Sequence, residues 1–121
     1  MPTQQKHEEQ VMRNKQILAL DDFDSSSTQF GDWVVTIAFY TAVHLIEREL
    51  AKIPYDSKHH DDREASMWAC GGKLKKIFHD YKTLKAASLR TRYHCCLFSA
   101  QDTKIYLNCL DTIENTLGKV S

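Results

Sequence analysis

The sequence predicts an all-α fold, an antiparallel four- to five-helix up-and-down bundle. Three observations lead there. Apolar residues recur at helical spacing, and few segments alternate as strands do. The 121 residues contain only two prolines. Short turn-rich stretches separate four amphipathic segments, an arrangement that suits neighbours packed antiparallel in one domain spanning residues 1–121.

The first helix is expected from about Gln5 to Leu20, with Val11 and Leu18 on its inner line and Ile17 beside them. "DDFDSSST", Asp21 to Thr28, reads as a loop. The second helix starts at Phe30 or Asp32 and ends near Lys52, because Ile53 precedes Pro54 and that position disfavours helix. After a loop, the third begins near His60 and runs to Cys70. Gly71-Gly72 interrupts it, since each glycine costs about 1 kcal/mol against alanine inside a helix. Its second part covers Lys73 to His94. The fourth starts after Ser99, where Ser99-x-x-Asp102 has capping-box spacing, and stops at Gly118, a natural helix terminator. Its apolar arc takes Ile105, Tyr106, Cys109, Leu110, Ile113 and Leu117, with Asp111, Glu114 and Asn115 opposite.

Composition narrows the function. Lys+Arg and Asp+Glu are both 16, so overall charge does not drive nucleic-acid binding. The charge is uneven, however: Lys73 to Arg92 holds seven basic residues against one acid, Asp80. No apolar run reaches membrane-spanning length and the polar N-terminus lacks a signal-peptide core, so a cytoplasmic protein with no membrane association is expected. Cys70, Cys95, Cys96 and Cys109 show no CxxC spacing and read as reduced, mostly buried thiols. "HHDD", His59 to Asp62, reads as an acidic first turn complementing the helix dipole rather than a metal site. No metal and no cofactor is expected.

Rolled at 100° per residue, the second helix shows a wide apolar face through Val35, Ala38, Phe39, Ala42, Val43 and Ile46. A mixed face carries Trp33, Ile37, Tyr40, His44 and Arg48. Trp33, Ile37 and Tyr40 are anchor types that predict a homodimer interface. On the third helix, Leu74, Ile77, Tyr81, Leu84 and Ser88 face inward, and Lys75, Lys76, His79 and Lys82 face outward, without interleaved aromatics. Arg92 falls on the inward line. An inward arginine needs partners; the Tyr40 hydroxyl, Glu47, Asp61 and Asp62 are available, with His44 and His60 completing a polar cluster. That cluster serves either as a buried network fixing helix register or as a phosphate-binding cleft.

"DWVVTIAFYTAVHLIEREL", with its Tyr-x-x-x-His, "HHDDRE", with His60 and Arg63, and "YKTLKAASLRTRYH", with Tyr81, Leu84, Ser88, Arg92 and Tyr93, together resemble the HEPN superfamily of helical-bundle domains over about Asp32 to His94. The resemblance implies a commonly dimeric four- or five-helix bundle linked to RNA biology. It also implies a polar cleft from Tyr40, His44, His60, Arg63, Arg92 and Tyr93. Many members are ribonucleases with an Arg-x4-6-His motif. Here Arg90 and His94 have three intervening residues, and Arg92 and His94 one. The expectation is therefore a dimeric binding or regulatory module for RNA or a nucleotide, or half of a toxin–antitoxin-like pair with a partner protein encoded nearby. A divergent metal-independent ribonuclease is the alternative.

Overall fold

The structure, a computed structural model, describes residues 2–53 and 62–120. Six α-helices and no strand occur among the described residues: α1 (Gln4–Leu18), α2 (Gly31–Ala51), α3 (Arg63–Cys70), α4 (Gly72–Lys76), α5 (Phe78–His94) and α6 (Ala100–Leu117). The architecture is the all-α bundle that the apolar periodicity predicts.

Helix ends follow local chemistry. The Thr3 hydroxyl accepts from the Lys6 N–H at 3.2 Å and starts α1. The helix ends at Leu18, two residues earlier than its apolar pattern suggests, and a 3-10 turn over Asp21–Phe23 follows. In the loop beyond, Asp24 accepts from the N–H and hydroxyl of Ser26, and these two bonds hold its carboxyl below the usual range. The Asp62 carboxylate caps α3 through the Ala65 N–H. The Ser99 hydroxyl caps α6 through the Asp102 N–H, as the spacing predicts. Gly71 and Gly118 terminate α3 and α6 with φ of 63° and 102°, where a side chain is strained.

The predicted helix over Lys73 to His94 is divided at Ile77, whose ψ of 8° leaves the helical range. Hydrogen bonds nevertheless run through the break, from Ile77 N–H to Lys73 O and from Tyr81 N–H to Ile77 O. Ile77 is buried, so the bend drops this side chain into the core between α4 and α5.

α2 is the central element. It packs against α1, α5 and α6, and α5 also packs against α6. Thirteen of its 21 residues are buried, which explains its near-continuous apolar run. Phe39, Leu45, Ile46, Tyr81, Leu84 and Ile113 lie in the shared core. At its start Gly31 touches the α6 N-terminus; a Cβ there would lie 2.6 Å from Thr103 Oγ1 and 2.8 Å from the Phe98 carbonyl oxygen.

The predicted faces need three corrections. In α6 the buried line is Thr103, Leu110, Ile113, Glu114 and Leu117, while Ile105 is exposed. The rotated face turns Glu114 inward, where Lys15 of α1 pairs with it at 2.9 Å. In α2, Arg48 is not on an open mixed face but buried at 3% exposure. It donates to the Leu117 and Gly118 carbonyl oxygens at 2.8 Å each and pairs with Glu49. None of the four cysteines is fully buried, and Cys95 is exposed in a left-handed C-cap of α5 (φ 54°).

Candidate functional site

The groove between the N-terminal half of α2 and the C-terminal half of α5 gathers the exposed aromatic side chains of the predicted cleft. Tyr40 sits on α2, and Arg92 and Tyr93 lie at the end of α5. Arg92 does not enter the core. Its helix line is inward, but the long stem lies over the Phe39 ring, 5.8 Å from guanidinium to centroid, and the charged head emerges at the groove lip. There Nη1 donates to the Tyr40 hydroxyl at 2.7 Å, one of the partners the sequence offered. The guanidinium also lies 5.4 Å from the Tyr40 ring centroid and 5.3 Å from that of Tyr93. Its Nε makes only a long 3.4 Å contact to the Ser88 carbonyl oxygen.

Beside Arg92 is a cavity of about 200 Å³ lined by Asp32, Trp33, Thr36, Thr91 and Arg92. The Thr36 and Thr91 hydroxyls meet at 3.1 Å across its floor and join α2 to α5. Thr36 also donates to the Asp32 carbonyl oxygen and Thr91 to that of Ser88, so both hydroxyl protons are engaged within the protein. The Trp33 side chain is 58% exposed and the Tyr93 side chain 68%, large apolar areas for a groove rim.

The remaining predicted residues form a second cluster. His44 does not join Arg92; its Nδ1 lies 3.0 Å from Nδ1 of His7 on α1. The two rings are 5.2 Å apart and tilted by 40°. Burial lowers the His44 pKa first and His7 lowers it further; Glu47 opposes them and Arg63 adds to the depression. Arg63 reaches Glu47 at 2.7 Å. Burial works against its charge, but hydrogen bonds to Tyr81 and Glu47 outweigh that and raise its pKa. His60 and Asp61 lie outside the described residues. The single predicted cluster thus divides, among these residues, into an Arg92–Tyr40 groove and a His7–His44–Glu47–Arg63 network.

Sequence reasoning missed three contributors. His7 belongs to a helix whose pairing with α2 no motif announces. Asp32 and Thr91 enter only through the packing of α2 on α5. A weak signal existed for Asp32, which stands one turn before Thr36 on the same stretch as Trp33.

The basic surface also differs from expectation. Lys82 and Lys85 both engage Glu64, which holds the Glu64 carboxyl below the usual range, chiefly through Lys85. Lys75 Nζ lies 4.3 Å from the centroid of the exposed Trp68 ring, so this face carries an aromatic after all. No group of three or more histidine, cysteine or acidic side chains placed to hold a metal occurs among the described residues, and no helix among them is long and apolar enough to cross a membrane. No family model, curated protein or solved structure matches this chain.

Proposed function

We propose that this chain is a HEPN-like helical-bundle binding module, cytoplasmic, that takes single-stranded RNA or a nucleotide in the α2–α5 groove. One observation carries the reading: a guanidinium held by Tyr40 at 2.7 Å stands among exposed aromatic rings beside an open cavity. Arginine forks suit phosphate oxygens, and exposed aromatic rings are stacking platforms for unpaired bases. Arg92 is the one cation among the described residues lining the cavity, so few counterions are released and stacking on Trp33 and Tyr93 would supply most of the affinity. The ribonuclease alternative has less support, because His44 is engaged by His7 rather than placed beside Arg92. The HEPN-like kinship rests on residue order and on the helical bundle.

The test is fluorescence anisotropy with labelled pentauridylate. Wild type binds, while Arg92→Ala and Trp33→Ala each weaken binding about tenfold. Arg92 is half-buried and its hydrogen-bond partner exposed, so thermal melts of the variants stay close to wild type. Equal affinity in all three proteins would remove the groove as the binding site.

A second reading is favoured by the exposure of Trp33, Tyr40 and Tyr93 together: the same surface pairs two copies of the chain. Light scattering separates the two. A dimer mass lost in Trp33→Ala supports pairing, and monomer mass at all concentrations rejects it.

A further inference from the structure

Resting on the reading of the groove as an RNA site, we infer that the cavity beside Arg92 selects a guanine base and that Asp32 reads it. Asp32 lies in the first turn of α2 and is half-buried. Its backbone carbonyl oxygen accepts from Thr36, but its carboxylate has no hydrogen bond or ion pair among the described residues. Arg92 lines the same cavity and does not pair with it. An acid and a cation are therefore held apart across one small space, each with capacity to spare. With the Thr36 and Thr91 protons engaged within the protein, the groups left to an incoming ligand are the Arg92 donors on one side and the Asp32 carboxylate acceptors on the other.

An ionised carboxylate only accepts, through two oxygens side by side. Among the four RNA bases, guanine alone presents two adjacent donors on one edge, N1–H and the N2 amino group. Adenine and cytosine place an acceptor next to their donor, and uracil flanks its single N–H with two carbonyls. Those acceptors would face the carboxylate lone pairs, an arrangement that leaves a charge unpaired. The cavity, about 200 Å³, has room for one base. The Trp33 indole offers a stacking face at its edge, and the phosphate remains outside on Arg92.

The experiment measures anisotropy with four labelled pentaribonucleotides, UUGUU, UUAUU, UUCUU and UUUUU, on wild type, Asp32→Asn and Asp32→Ser. Wild type is expected to hold UUGUU about tenfold tighter than the others, the discrimination one bidentate pair supplies. Both Asp32 variants, checked for native melting, should lose that preference and still bind UUUUU. Serine keeps a helix-starting side chain should asparagine disturb the fold. A preference that persists in either folded variant, or equal wild-type affinity for all four oligonucleotides, overturns the guanine assignment. If the four bind equally and Arg92→Ala weakens all of them, the groove stands without the base preference. Binding to none rejects both.

Discussion

His44 and His7 share one hydrogen bond between like nitrogens 3.0 Å apart, which requires at least one nitrogen to be unprotonated. Protonating both rings would oppose two positive charges across the α1–α2 contact, with Arg63 nearby and Glu47 as counter-charge to His44. The folded-state pKa of His44 is depressed, so below the unfolded value the unfolded chain binds more protons. Stability is therefore complete above about pH 6.5 and falls as the pH drops toward the depressed folded value. The carboxylates of Glu64 and Asp24, also depressed, withdraw their contribution at lower pH, below about 4.5. Thermal melts between pH 7.5 and pH 5 should show a falling midpoint in wild type and a flatter profile in His44→Gln. Parallel profiles would show that the pair does not titrate in this window. At this scale the sequence made the Arg92–Tyr40 bond legible, because helix rolling put one on an inward line and the other on the mixed face of the facing helix. It could not supply His7, since which α1 residue meets His44 depends on how deeply the two helices overlap.

At the scale of elements, the bundle is tied by side chains that satisfy the backbone of a neighbouring helix. Arg48 is the main case: it is nearly inaccessible and its guanidinium donates to the carbonyl oxygens of Leu117, the last residue of α6, and of Gly118, its cap. Arg48→Ala should cost about 3 kcal/mol, since it leaves the Leu117 and Gly118 carbonyls without their donor and Glu49 with Lys52 alone. Urea unfolding measures this. Arg48→Lys should recover only part, because an ammonium does not reproduce the planar fork. A loss below about 1 kcal/mol would mean that water replaces the guanidinium. Caps written in local sequence were readable: Ser99-x-x-Asp102 and Gly118 stand where the spacing puts them. The bend at Ile77 was not, because it answers to the core that receives the side chain. Nor was the phase of α6, in which Glu114 faces inward onto Lys15, distant in sequence, and Ile105 lies in solvent.

For the whole molecule, periodicity settled the helical class, because one continuous core needs an apolar stripe from each long helix and the sequence displays those stripes. The groove was only half legible. Tyr40, Arg92 and Tyr93 carry aromatic and cationic character visible in the chain, whereas Asp32, Thr36 and Thr91 become a cavity only when α2 lies against α5. The central claim is that this groove, rather than the Lys75–Trp68 face or the surface between α1 and α6, receives RNA. Amide and side-chain NMR shifts recorded during titration with UUGUU test it most directly. The account predicts shifts at the Trp33 indole N–H, the Arg92 side chain and the amides of Asp32, Thr36 and Thr91. Shifts confined to Trp68 and Lys73 to Lys76, or to α1 and α6, would contradict it.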